Sequence, residues 1–359
     1  MKRVLAFIYL VFFNTISFAQ DAWKISASNI DTKNYYGVTV ANGMIGIVSS
    51  PEAFKVKDVV LAGAYDLYGR GRVSNFLKSF NLLNMYMEID GSKLSNTDVS
   101  NMQQSLDMQH ANFTTSFSYK DVATVSYTYY ALRQLPYCVL MDITVMAKKD
   151  FNLGSASQME APDALKDVQN YYNEIDRPHT TISLLTSTAK SPTGKLLMCA
   201  SNAFIFSEAH GSEPRVIHEM WDNNMHLMKF AKKLKAGETY RYSIVGSSIT
   251  SAHHDDPLNE AERLTIFAKL QGRDRLIEMH NNAWKDLWKS DIIIDGDAQS
   301  QQDVHSMLYH LYSFVREGTS NSPSPMGLSA WVIMAMCFGI QNYGCSLPFY
   351  NCIRKLQKA

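Results

Sequence analysis

The hydrophobic period of this chain changes once, and that change limits its fold more than any other feature. From about Ala22 to Thr250 the apolar residues come in short segments rich in Val, Ile, Tyr, Phe and Thr, broken by Gly, Asn, Asp or Pro. "FTTSFSY" (Phe113 to Tyr119) and "ATVSYTYYAL" (Ala123 to Leu132) alternate, and "YCVLMDITVMA" (Tyr137 to Ala147) is nearly continuous. "LKAGETYRYSIVGSSI" places a Gly-containing turn before another strand. So many strands of this length must stack two sheets so that each buries one face, which predicts a large antiparallel β-sandwich.

After Asp256-Pro257 the period becomes helical. "RDRLIEMHNNAWKDLWKSD" sets Leu276, Met279, Ala283 and Leu287 on one stripe, with Trp284 and Trp288 one turn apart beside it. Aromatics at that spacing are expected to pack against a core. "NEAERLTIFAKLQ" precedes this segment, and "SQQDVHSMLYHLYSFVREG" follows as a helix through Val304, Leu308, Leu311 and Val315 until "TSNSPSPMGLS" breaks it. The expected organisation is a leader over 1–19, a sandwich over 20–252, a helical linker over 253–300, a first segment of a further helical domain over 301–329, and an anomalous tail over 330–359.

The leader reading rests on Lys2 and Arg3, the apolar run Val4 to Phe13, and the small residues of Ser17-Phe18-Ala19, which together form an export signal cleaved after Ala19. The expected location is the periplasm or the medium. The rest of the chain has no apolar stretch long enough to span a bilayer. Charge is balanced, 34 basic against 34 acidic residues, so no basic patch is expected to hold nucleic acid, and a neutral polar ligand fits better. Cys138 and Cys199 sit in apolar runs and read as small buried hydrophobes, since a domain of this size builds a core without a disulfide.

Several groups imitate chemistry. His253, His254, Asp255 and Asp256 are adjacent, and adjacent residues do not converge on one ion, so the cluster reads as a solvated linker. Asp295 and Asp297 flank a glycine, and such a turn caps the next helix; a hydrolytic carboxylate pair comes from separate elements, roughly 6.5 to 9.5 Å apart for inversion. Pro192-Thr193-Gly194-Lys195 lacks the glycines and the following hydroxyl of a phosphate loop and reads as a turn. No catalytic, cofactor-binding or metal-ligating residue is therefore assigned.

The order of segments carries more than any one of them. "NYYGVTVANGMIGIVSSPEAF" followed by "KDVVLAGAYD" resembles the opening of glycoside hydrolase family 65, in which an "ANG-x-x-G" turn precedes "L-A-G-x-Y-D". "SLDMQHANFTTSFSY" is similar to that family's "L-D-M" strand pair, and "NNAWKDLWKSDIIIDGD", "LYHLYSF" and "SNSPSPMGLS" to its approach to the catalytic domain. The resemblance runs from about Ala22 to Ser329. It implies a galactose-mutarotase-like sandwich, a helical linker and an (α/α)6 barrel whose glutamic acid protonates the leaving oxygen while water or inorganic phosphate attacks the opposite face of an α-glucoside. It implies no resident cofactor, although phosphate can be a co-substrate, and it allows a homodimer. Hydrolysis and phosphorolysis both stay open.

Members of that family carry "H-x-F-W-D-x-E-x-W-x-x-P" after the segment matching "GLS". Here Ala330 to Cys352 stands instead, with Cys337, Cys345 and Cys352 and almost no charge. Met336 to Asn342 can be encoded by ATG TGT TTT GGG ATA CAG AAT, and read one base earlier, after a C, the same letters give His-Val-Phe-Trp-Asp-Thr-Glu. Tyr343 to Leu347 permits Leu-Trp-Met-Phe-Pro in that frame. The expectation is a one-base loss near the Ser329 codon, an out-of-frame tail and a chain without turnover, since the general acid lies in the missing barrel. The "E-L-W-M-F-P" reading leans towards the trehalase and collagen-glucosidase branch. The other reading keeps the sandwich as a free-standing module that binds glycan or contacts a partner subunit.

Overall fold

A computed structural model describes residues 21–69, 74–220, 224–319 and 327–329. The leader and the tail both lie outside the described residues. The largest sheet has nine antiparallel strands. In spatial order they are β1 (Lys24–Ala27), β8 (Val99–Asp107), β9 (Asn112–Tyr119), β10 (Ala123–Ala131), β11 (Cys138–Ala147), β18 (Thr239–Thr250), β15 (Leu197–Phe206), β14 (Thr180–Lys190) and β13 (Lys166–Arg177). Opposite it lie two smaller sheets. One is β16 (Ile217–Met220), β17 (Met225–Leu234), β12 (Phe151–Glu160), β6 (Met85–Ile89) and β7 (Ser92–Lys93); the other is β2 (Thr39–Ala41), β3 (Ile45–Ser49), β4 (Val56–Leu67) and β5 (Ser74–Lys78). The expected antiparallel sandwich is present, with its second layer divided between two sheets.

Sequence period explains which strands lie where. On β9, and on β10 as far as Tyr129, every second side chain is buried, so Phe113, Phe117, Val125, Tyr127 and Tyr129 form the inner face while Thr114 and Thr128 join hydroxyls outside at 2.8 Å. The continuous apolar run of β11 has a different cause. Val139, Met141, Ile143 and Val145 enter the main core, whereas Cys138 and Leu140 join Leu276 and Ala268 in a second cluster on the other face. A strand covered on both sides needs apolar residues on both.

The cover is helical. Helix α1 (Pro257–Gln271), N-capped by Asp256, lays Ala261, Thr265 and Ala268 on β15 and β18. Small side chains allow close approach, and Ser247 Oγ donates to Ala261 O at 2.7 Å. Helix α2 (Arg273–Leu287) follows after Gly272. Its buried stripe is Leu276, His280 and Trp284, continued by Trp288, and Met279, Ala283 and Leu287 are only half-buried beside it. The tryptophans pack inward as expected, but the stripe centres on them. Helix α3 (Ala298–Phe314) departs further from expectation, because its packed face is Gln302, His305, Tyr309 and Ser313 rather than Val304, Leu308 and Leu311, which are half-buried. The reason is polar: three of those four side chains hydrogen-bond to the backbone of the first 39 residues.

Candidate functional site

Two of the sequence stretches singled out above meet the helices or the chain that leaves them, and a third meets the segment just before α1. The β2–β3 turn is built by Asn42, whose Oδ1 accepts from the amides of Met44 and Ile45 at 3.0 Å and whose Nδ2 donates to Leu132 O at 2.8 Å. Its glycines make room for other chain segments. A Cβ on Gly43, which has φ +88°, would lie 2.5 Å from Arg316 Cβ and 2.9 Å from Val315 O. On Gly46 it would lie 2.6 Å from Leu328 O. The turn is thus the seat on which the chain rests as it leaves α3.

Arg133, in the β10–β11 connection, closes that seat. Its guanidinium donates through Nη1 to Asn42 O at 2.9 Å and Tyr312 O at 2.8 Å, and through Nη2 to Val315 O at 3.0 Å. Two of those carbonyls end α3, where unpaired oxygens and the helix dipole favour a cation. Arg316 returns the contact, donating to Arg133 O at 2.6 Å. Burial, and then the Arg316 charge, lower the Arg133 pKa to about 10. Its ring-facing side lies 5.8 Å from the centre of the Trp284 ring.

The other two stretches are held by different partners. In "LDM", Met108 O accepts from Trp288 Nε1 at 3.2 Å, and the Met108 amide donates to Trp23 O at 2.9 Å. His110 O accepts from His280 Nε2 at 2.8 Å, and His280 Nδ1 accepts the Arg133 amide at 3.1 Å, so one buried imidazole joins α2 to two strand connections. Burial pushes its pKa down to about 4, with the His110 and Arg133 charges acting in the same direction. In "LAGAYD", Ala62 O accepts from His253 Nε2 at 2.6 Å. Asp66 accepts from the amide of Thr193 at 2.9 Å and from its hydroxyl at 2.6 Å. Burial would raise the Asp66 carboxyl, but hydrogen bonds from Ser191, Thr193 and Leu67 outweigh it and hold the pKa at about 2.

The imitators of chemistry resolve into structure. His253 is not a solvated linker residue: it is pinned between Thr250 and Ala62 and packs near Tyr137, while Asp256 caps α1. Asp297 caps α3 through the amides of Gln299 and Ser300, as expected of that turn, and Asp295 is exposed. Thr193 of the Pro192–Lys195 turn is spent on Asp66. Cys138 and Cys199 are buried and unpaired, and burial pushes both thiols up to about 12. Among the described residues no three of His, Cys, Asp and Glu gather around a common point. A cleft of 230 Å³ beside Phe54 and Tyr86 has Glu52 as its one acidic lining residue, so it offers no carboxylate pair. No helix among the described residues is long and apolar enough to cross a membrane.

Sequence reasoning missed Arg133, His280 and Arg316. Each partner lies far along the chain, and nothing local marks a lone basic residue as a clasp. Two of the quoted motifs were the usable signal, because the "ANG" turn lies against Arg133 and Arg316 and the "LDMQH" stretch against His280.

The arrangement defines a class: a large antiparallel sandwich whose turns grip the helical continuation of its own chain. The chain belongs to glycosyl hydrolase family 65, and its residues 37–287 match that family's N-terminal domain. It is 69% identical over 328 residues to a kojibiose hydrolase of Mucilaginibacter mallensis, an alignment covering 91% of this chain and 48% of the relative. A kojibiose hydrolase of Flavobacterium johnsoniae is 52% identical over 312 residues, covering 87% of this chain and 46% of the relative. A nigerose phosphorylase of Lachnoclostridium phytofermentans is 24% identical, with 86% and 45% covered. In structure, a protein from the human microbiome assigned as a kojibiose phosphorylase superposes with a TM-score of 0.68 at 13% identity over 86% of this chain and 44% of its own, a likeness of fold. The chain spans about half the length of the curated relatives it matches.

Proposed function

We propose that these residues are the front half of an exported, inverting α-glucoside hydrolase, and that the sandwich seats the chain at the entry to a catalytic barrel. The observation carrying this reading is the 69% identity, over 91% of the chain, to a kojibiose hydrolase. The phosphorylase relative stands much further off at 24%, which favours water over phosphate as the nucleophile. The clasp fits a seating role. Arg133 and the Asn42 turn fix where α3 ends and where residues 327–329 run.

Inversion needs an acid and a base on opposite faces of the sugar, about 6.5 to 9.5 Å apart. On this reading both groups belong to the barrel. The test is an assay with kojibiose, nigerose and trehalose, each with and without inorganic phosphate. It compares this chain with a version in which the frame after Ser329 is restored. Glucose release from kojibiose by the restored version alone, independent of phosphate, is the expected result. Turnover by the 359-residue chain, or sugar-phosphate formation by the restored one, refutes it.

A further inference from the structure

The clasp leaves a charge problem that the seating role does not solve. Arg133 is only 9% exposed, and Arg316 is partly buried against it, donating to Arg133 O and to Asn42 O. Two guanidinium groups therefore share one carbonyl in a half-dry site. Neither forms an ion pair with any carboxylate of the described residues. Buried charges are ordinarily paired, because removing an ion from water costs more than carbonyl dipoles return. The α3 C-terminus carries the equivalent of about half a negative charge. Two full positive charges exceed it.

The donors agree with the charge. Arg133 uses Nη1 and Nη2 on carbonyls, and Arg316 uses only Nη1, so Nε and Nη2 of Arg316 and Nε of Arg133 bond to no described residue. Against the Arg133 guanidinium lies Trp284, fully buried, whose Nε1–H also has no acceptor. Four donors with no acceptor among the described residues thus belong to Arg133 and to the two side chains that meet it, Arg316 and Trp284, and of these Trp284 Nε1 is fully buried. Arg presents paired N–H groups in the fork geometry that matches a carboxylate or a phosphate.

We propose that Arg133 and Arg316, at the junction of the β2–β3 turn with the C-terminal end of α3, form a binding site for an oxyanion. The ligand chemistry is a planar or tetrahedral oxyanion, either a carboxylate borne by a protein chain or a free phosphate. The site is separate from any carboxylate pair that cleaves the substrate, and it makes the seat of α3 sensitive to anions.

The whole chain is titrated with sodium phosphate, sodium acetate and sodium chloride at matched ionic strength, following its melting temperature and its tryptophan emission, since Trp284 adjoins the site. Saturable responses to phosphate or acetate, absent with chloride, are expected. Arg316→Gln, whose side chain is partly exposed and whose loss spares the sandwich core, should weaken the response at least tenfold with circular dichroism unchanged. Arg316→Lys, which keeps the charge but loses the fork, should recover only part of it. Phosphate acting alone identifies a free-anion site, and acetate acting as strongly identifies one shaped for a carboxylate. Equal responses to all three salts, or an unchanged response in Arg316→Gln, overturn the proposal.

Discussion

At the residue scale the decisive groups are buried, polar and held by backbone. His280 and His226 are both fully buried. His226 donates through Nε2 to Ser187 Oγ at 2.8 Å, and its Nδ1 faces His218 Nε2 at 3.3 Å. Burial, then the neighbouring His218, lower its pKa to about 3; burial chiefly lowers His280 to about 4. A histidine depressed in the folded state binds its proton more readily when unfolded. The stability it represents is therefore complete above the ordinary value of 6.5 and is lost as pH falls towards the folded values. At pH 5 each site withholds roughly 2 kcal/mol. The urea midpoint should drop between pH 7 and pH 5, with a shallower drop in His226→Gln, which cannot titrate; an equal slope in that variant would assign the acid sensitivity elsewhere. Gly46 supplies a second case. Gly46→Ala forces a methyl group to 2.6 Å from Leu328 O, an overpacking that costs about 1–3 kcal/mol, and hydrogen exchange should rise around Leu328 while β9 and β10 stay protected. None of this was legible locally. "ANGMIG" announces a tight turn, but the reason its glycines cannot be replaced lies at Val315, Arg316 and Leu328, about 270 positions away.

Strands were easier to read than helices, and the cause is how each element is held. A strand in this sandwich is kept by alternating apolar side chains, as on β9, and alternation is written in the sequence. Helix α3 is kept by Gln302 donating to Asp21 O and Lys24 O, by His305 donating to Ala22 O, and by Tyr309 donating to Thr39 O. Hydrophobicity does not mark glutamine and histidine as a packed face, so the stripe through Val304, Leu308 and Leu311 was the natural but incorrect choice. Trp23 completes the attachment, stacked on His305 at 3.6 Å and edge-on to Trp288 at 4.7 Å. Trp23→Ala should therefore act at a distance in sequence. It removes about 2–4 kcal/mol of aromatic packing, and hydrogen exchange should accelerate along Ala298–Phe314 as well as in β1. Acceleration confined to β1 would mean that α3 is held by its hydrogen bonds alone.

At the scale of the whole molecule, the structure and the relatives bear on how the chain continues. The sandwich devotes Arg133, an asparagine turn and two glycines to holding the backbone at Tyr312–Arg316 and Leu328, and Arg316 answers from the held segment, a large commitment for the end of one helix. Apolar side chains remain uncovered nearby in sequence: Ile293 is 81% exposed and Met307 72% exposed. Exposed residues of that kind suit a further packed layer, and the matched relatives are about twice as long as this chain's share of them. We propose that the reading frame slips near the Ser329 codon and that the intact gene continues into the barrel. This reading predicts specific bases. The DNA after that codon must encode His-Val-Phe-Trp-Asp-Thr-Glu in the neighbouring frame, which fixes most of the letters beneath Met336 to Asn342. Resequencing that shows one restored base and an open frame of several hundred further codons would make this chain the seat of a complete hydrolase. A confirmed deletion would leave a folded sandwich without its chemistry, and bases unable to encode those seven residues in the second frame would remove the account of the tail altogether.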